Sequence, residues 1–274
     1  MFSNLFQFDD LGTALFDAGM RIIPALICIT FHELAHGYTA YRLGDRTAKD
    51  MGRLTLNPIK HIDVFGLIMM MFFRFGWAKP VPVNMHNFKK PKSYMAITAF
   101  AGPLSNLVLA IAVMLLFGFT VSLLGGIYAS EVVITGNTVY ADGTLLSDSA
   151  VAGKEIIYVD SVVSSGDQII AEDVIFAGGF GSIIIQLIHN TAYISIALAV
   201  FNLLPIPPLD GSKVLFSLIP EGAYYKLMRY ERYGMIVLIL FLASPYFSTT
   251  IGGLTRTLFR SSFVFLQASY GMVN

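Results

Sequence analysis

The stretch Ile22-Ile23-Pro24-Ala25-Leu26-Ile27-Cys28-Ile29-Thr30-Phe31-His32-Glu33-Leu34-Ala35-His36 decides how this chain is read. It is an apolar run that closes on three ionisable side chains, and no Lys or Arg follows until Arg42. His32-Glu33-x-x-His36 has the form H-E-x-x-H. On a helix, positions i and i+4 share a face, so His32 and His36 can aim imidazole nitrogens at one ion. Glu33 lies beside them, placed to act as a base toward water. The plain alternative is a buried polar cluster. It is a poor one in an apolar span, where unpaired His and Glu are costly and mark function by default.

Outward from that helix, composition sets the solvent. The 274 residues are 55% hydrophobic and 13% charged, with a formal net charge of zero and a mean hydropathy of +0.66. Soluble domains carry about 25% charged residues, so the surface of this chain must meet lipid as well as water. Zero net charge argues against nucleic acid as a partner. The single cysteine, Cys28, excludes an internal disulfide framework and a four-cysteine metal site. One turn before His32, it reads as a small buried residue rather than a ligand. The opening MFSNLFQFDDLG is acidic, unlike the basic start of a cleaved signal peptide.

Charge is distributed unevenly along the chain. Of 18 Lys and Arg, Lys154 alone lies between Lys92 and Lys213, while residues 125–175 hold eight acidic residues. Basic clusters stand at Arg42–Lys60, at Arg74–Lys92 and at Lys213–Arg232. Basic flanks stay on the cytoplasmic side. The expected fold is an all-α polytopic membrane protein of the cell inner (cytoplasmic) membrane. Its helical core is expected to carry a re-entrant strand-like segment. Residues 1–274 are expected to form a single domain, with 125–175 as a small, acidic, β-rich extracytoplasmic insertion. In that insertion EVVITGNTVYADGT and KEIIYVDSVV alternate β-branched and polar residues between turn signals. Apolar runs place crossings at Leu11–Leu43, Tyr94–Leu124, Phe176–Leu204 and Tyr233–Phe247, and leave the tail after Arg256 unassigned. Ile62–Phe75 has about 14 residues between basic flanks. It is short for a crossing and reads as re-entrant, leading into the Pro-broken, strand-like segment Trp77–Asn84. From His36 to Arg42 is about 9 Å of helix, which sets the histidines below the membrane surface, nearer the cytoplasm.

A catalytic zinc site takes three protein ligands and keeps a position open. The third is expected from an acidic residue inside an apolar stretch, and Asn202-Leu203-Leu204-Pro205-Ile206-Pro207-Pro208-Leu209-Asp210-Gly211 supplies one. Three prolines in four positions break the helix, and broken backbone at membrane depth is tolerated only where it lines a cavity or is buried in protein. Asp210 is thus offered to a polar site. Taken alone it could equally be a helix-capping aspartate.

The segments FHELAHGYTA and NLLPIPPLDG, together with GRLTLNPIKHID, GWAKPVPVN and AGPLSNLVLA, resemble the site-2 protease family of intramembrane metalloproteases, in its short bacterial and archaeal branch. The resemblance covers about Ile22 to Gly234 apart from the acidic insertion. It implies a three-helix catalytic core holding one Zn2+ on His32, His36 and Asp210, with Glu33 activating water. Its implied substrates are single-span membrane proteins, often regulators such as anti-sigma factors. It also makes Asn106 a polar residue facing the active site, fit to hold substrate or the oxyanion; a helix–helix hydrogen bond is the alternative. The insertion stands where longer relatives carry PDZ domains but is too short for one, and no nucleotide-sensing tail follows.

The expected reaction is zinc-dependent hydrolysis of peptide bonds in or near transmembrane segments. A helical substrate hides its amides, so it must unwind first, and Val81 and Val83 in Ala78–Val83 could hold it by strand addition. His61 and His86 lie in basic segments and read as interfacial, while His189 is too far along its helix from Asn202 to join the metal. The alternatives are a membrane metal transporter and a protein that binds transmembrane helices without cutting them. No repeat of the transporter kind is visible, and a glutamate not needed as a ligand fits hydrolysis better.

Overall fold

The structure, a computed structural model, describes residues 11–73, 76–123, 127–135, 138–141, 144–145, 155–158, 161–165, 168–177, 179–244, 247, 249, 251–259 and 261. It is mostly helical. Among the described residues, three helices are long and apolar enough to cross a membrane, within Leu15–Arg42, Pro91–Phe117 and Gly179–Asn202. The chain divides into two compact units, one of residues 1–111 and 191–260, the other of residues 112–190 and 261–274.

The first unit opens with α1, Leu11–Arg42. At 1.5 Å per residue its 32 residues reach about 48 Å, more than the roughly 30 Å of a hydrocarbon core. Its end is written in the sequence. Gly44 takes φ +111, which glycine reaches without a Cβ penalty, and the Asp45 N–H then closes back on the Ala40 carbonyl at 2.9 Å, a Schellman stop. Asp45, fully buried, spends its carboxylate on four donors. Oδ1 accepts from the Thr47 N–H (3.1 Å), the Thr47 hydroxyl (2.5 Å) and Asn87 Nδ2 (2.7 Å), and Oδ2 accepts from the Asn84 N–H (2.7 Å). Burial pushes this carboxyl up, but the bonds from Thr47, Asn84 and Asn87 outweigh it and hold it below its ordinary value of 3.8. The stabilisation is therefore complete above that ordinary value and is lost as pH falls through the lower folded one.

A short α2, Thr47–Asp50, and a 3-10 turn, Pro58–His61, lead to α3, Val64–Phe73. With ten residues, α3 is about 15 Å long and does not cross a bilayer. The chain beyond it differs from the strand-like expectation. Among the described residues, 76–84 forms no ladder; its bridge is the isolated pair Ile62↔Ala78. Pro80 and Pro82 have no N–H to give, and the other donors are largely taken: Lys79 N–H by the His61 carbonyl (3.0 Å), Val81 N–H by Glu33 (2.6 Å) and Asn84 N–H by Asp45. His61, expected at the interface, is instead 1% exposed. Its Nε2 lies 2.9 Å from the Thr55 carbonyl, while His86 is exposed.

Helix α4, Pro91–Leu123, starts with proline at its first position, where the missing N–H costs nothing. It carries Pro103 inside, which has no N–H to give to the Ala99 carbonyl one turn earlier. Helix α5, Gly179–Asn202, carries the chain back into the first unit at Thr191, and the proline-rich break, α6, Asp210–Phe216, and α7, Glu221–Ala243, follow. The crossing expected at Tyr233–Phe247 has an apolar helical part of only Tyr233–Leu242. Residues 245, 246 and 248 lie outside the described set.

The described residues of the second unit form six strands, β1 Ile127–Thr135, β2 Thr138–Ala141, β3 Thr144–Leu145, β4 Glu155–Tyr158, β5 Ser161–Ser165 and β6 Gln168–Ala177. Their order is β3-β2-β1-β6-β4, with β5 also pairing β6, all antiparallel. The long pair β1–β6 sets the register, from Ile127↔Phe176 to Thr135↔Gln168.

Candidate functional site

The H-E-x-x-H turn begins ten residues before the end of α1, and its two rings meet a carboxylate delivered by the proline break. His32 Nε2 and His36 Nε2 are 3.0 Å apart, and each is 3.1 Å from Asp210 Oδ2. Asp210 is the first residue of α6, behind Leu209 as the N-cap, and makes no capping bond with its side chain; the capping alternative is thereby set aside. Its second oxygen, Oδ1, faces Lys213 Nζ at 3.9 Å. The three side chains are only 9–12% exposed.

Tautomers can be assigned from partners. His36 Nδ1 lies 2.7 Å from the Thr98 carbonyl, which only accepts, so a neutral His36 carries its proton on Nδ1 and turns a lone pair at Nε2 toward the other two atoms. An imidazole lone pair and a carboxylate oxygen 3.1 Å apart in a largely buried site repel each other unless a cation sits between them. Zinc bonds of about 2.0–2.1 Å at tetrahedral angles hold ligand atoms about 3.3 Å apart, close to the spacing found here. The donor set of two imidazoles and one carboxylate fits Zn2+ with a position left open. Among the described residues these are the only three His, Cys, Asp or Glu whose ligand atoms converge in this way.

The site opens on a cavity of about 330 Å³ lined by Glu33, Val81, Val83, Asn202, Asp210 and Lys213, together with the two histidines and neighbouring apolar residues. Glu33 Oε2 accepts the Val81 N–H at 2.6 Å. Asn106 is completely buried, with its amide on the far ring nitrogen of His32, 3.3 Å from Nδ1. Cys28 gives its thiol to the Thr191 carbonyl at 3.3 Å, and is buried as expected of a small core residue. His189 is buried in the second unit, 6.2 Å from the Phe117 ring.

Several contributors are not apparent from the sequence. Gly102 is the chief one: a Cβ there would stand 2.4 Å from His36 Cε1 and Nε2 and 2.7 Å from His32 Cε1, so α4 reaches the rings only because the residue is glycine. Lys213, three residues after Asp210, reads in sequence as part of a basic flank, and Asn202 only as the start of the proline motif. The spacing of Lys213 on a helix started at Asp210 is a signal that could have found it.

A helical membrane protein with this donor set, and a glutamate on the same cavity, is by class a metal-dependent hydrolase built within a bilayer. Residues 20–244 match the model of peptidase family M50. A Bacillus subtilis (strain 168) protein, YwhC, named for a zinc metalloprotease, is 38% identical over 224 residues, covering 82% of this chain and 80% of its own length. Proteins named Rip2, also for a zinc metalloprotease, are similar over shorter stretches. The one from Mycolicibacterium smegmatis is 34% identical over 35% of this chain and 37% of its own, and the one from Mycobacterium tuberculosis (strain H37Rv) 32% over 40% and 43%. No solved structure matches the chain. The chain belongs to peptidase family M50: it is a membrane protein and a zinc-dependent intramembrane protease. The metal-transport and non-cleaving alternatives are not favoured.

Proposed function

We propose that the protein cuts single-span membrane proteins, anti-sigma-factor-like regulators among them, with His32, His36 and Asp210 as the zinc ligands and Glu33 as the general base. The observation that carries this is the triangle of Nε2, Nε2 and Oδ2 atoms at 3.0–3.1 Å beside a glutamate on one cavity. Zinc supplies Lewis acidity to water and to the scissile carbonyl. Glu33 takes the water proton and returns it to the leaving amine. Lys213, 3.9 Å from Asp210 Oδ1, holds the carboxylate so that Oδ2 stays turned to the rings. The basic flanks of the site face the cytoplasm of the inner membrane and residues 125–175 face outward, a reading that rests on their charge.

Substrate must reach the cavity as extended chain, and Val83, on its wall, has the backbone N–H left for strand addition. Val81 contributes its side chain and carbonyl there. Asn106 acts through His32. With Nε2 given to the cation, Nδ1 carries the proton and needs an acceptor, and a half-turn of the Asn106 amide presents Oδ1 to it. Asn106→Leu is expected to weaken zinc affinity about 10–100-fold, and Asn106→Asp to keep most of it; competition with a zinc-chelating dye reads both. Equal affinity in wild type and Asn106→Leu would remove this role.

The test of the whole reading is a cleavage assay in detergent on a panel of single-span membrane proteins. Cleavage should stop with a zinc chelator and return with added Zn2+. Cleavage that persists in metal-free protein would defeat the assignment, as would zinc-loaded protein that cuts no member of the panel.

A further inference from the structure

Arg53 is an anomaly. It is 6% exposed, yet among the described residues no carboxylate lies within ion-pair distance of it. Its Nη2 donates to one backbone carbonyl, that of Lys79, at 2.7 Å, and its buried Nε has no partner. Leaving the buried Nε of a guanidinium without a partner is costly, and a position held at such a cost calls for a reason beyond packing.

The reason lies in what Lys79 begins. Lys79 is pinned twice, by Arg53 at its carbonyl and by the His61 carbonyl at its N–H. Five residues on, Asn84 is pinned by Asp45 Oδ2 at 2.7 Å, and Asn87 by Asp45 Oδ1. Between the two anchors run Pro80-Val81-Pro82-Val83. Each proline fixes φ and offers no N–H, so the Pro-Val-Pro centre has a single backbone donor. That donor, the Val81 N–H, is spent on Glu33 Oε2 at 2.6 Å. The arm also lies tight on α1, where a Cβ added at Gly37 would come within 2.9 Å of Val81 Cγ1.

We infer that residues 79–84 form a fixed arm whose task is to hold the Glu33 carboxylate, and that buried Arg53 and Asp45 are the positioning residues that set its two ends. A glutamate on a helix has several rotamers, and a base must stand within about 3 Å of the proton it takes. One short N–H bond from a rigid, doubly anchored strap selects the rotamer before substrate arrives, and leaves the second carboxylate oxygen for water. This rests on the reading of Glu33 as the base. It also revises the strand-addition idea, since Val81 gives its N–H to the enzyme and cannot give it to a substrate.

The test uses the full chain in detergent, loaded with zinc, and reads amide deuterium uptake, zinc content and the separate kcat and KM. The segment 79–84 has exchangeable amides only at Lys79, Val81, Val83 and Asn84. In Glu33→Ala the Val81 amide should lose protection while Lys79 and Asn84 keep theirs. In Arg53→Met and Asp45→Asn, zinc should stay at the wild-type amount and Val81 should lose protection. In both, kcat should fall about 10–100-fold with KM little changed. Arg53→Lys, which can still reach one carbonyl, should restore part of the protection and of kcat. Unchanged uptake at Val81 in Glu33→Ala or Arg53→Met overturns the inference. So does a rise in KM with kcat held, which would make the arm a substrate contact, or a loss of zinc. Val83→Pro should raise KM and leave the Val81 amide protected; loss of that protection would show that the arm is not held at its ends. Uptake is read without substrate, so even a protein that cuts nothing would still show whether Glu33 holds the Val81 amide.

Discussion

Replacing Gly102 with alanine should strip the protein of zinc and of cleavage together, each by about 100-fold or more, with the helices still folded. The added methyl would stand 2.4 Å from two atoms of the His36 ring and 2.7 Å from His32 Cε1, about 1 Å inside ordinary contact. Neither ring has an easy retreat. His36 is held at Nδ1 by the Thr98 carbonyl at 2.7 Å, and His32 has the buried Asn106 amide behind its own Nδ1. Either the rings leave the triangle or α4 moves away from α1, and overpacking of this kind costs about 1–3 kcal/mol. Metal analysis of the purified variant reads the first effect and thermal unfolding in detergent reads the second. An alanine variant that carries a full complement of zinc and cuts normally would mean that α4 does not press on the ligand rings.

Gly102 also marks where reading from sequence stops. The two histidines and Glu33 were legible because their relation is local: i and i+4 on one helix face need no knowledge of the rest of the fold. Asp210 was legible as a candidate because Pro205, Pro207 and Pro208 cannot continue a helix, and broken backbone at membrane depth lines a cavity or is buried in protein. The membrane class followed from composition, and of the four crossings expected from run length three have described helices long and apolar enough to span. What escaped depends on distances between elements far apart in sequence. Nothing in AGPLSN says that Gly102 touches the ring of His36, 66 residues earlier; only packing brings the two together. Arg53 and Asp45 sit in a charged stretch that reads as solvated, and His61 in one that reads as interfacial, yet all three are buried. The strand-like reading of Trp77–Asn84 comes from its Val and Pro pattern. Pairing fails there because its donors go instead to the His61 carbonyl, Glu33 and Asp45.

Glu33→Gln should behave in the opposite way to Gly102→Ala, keeping zinc at the wild-type amount while cleavage falls by about a thousandfold, within the range that removal of a general base commonly produces. Glutamine has the same length and keeps an oxygen that can accept the Val81 N–H now bonded to Glu33 at 2.6 Å, so the arm and the cavity should hold their shape. What it cannot do is take a proton from water at neutral pH. Since the proposed ligands are His32, His36 and Asp210, no metal bond is lost either. Zinc analysis and a cleavage assay on the same preparation separate the two quantities. The same variant expressed in cells should let uncut single-span proteins accumulate, and these would name the substrates that geometry leaves open. If the glutamine protein cuts at the wild-type rate, Glu33 is not the base, and the proton must be taken by another group on that cavity, with Lys213, beside Asp210, the first to be tested.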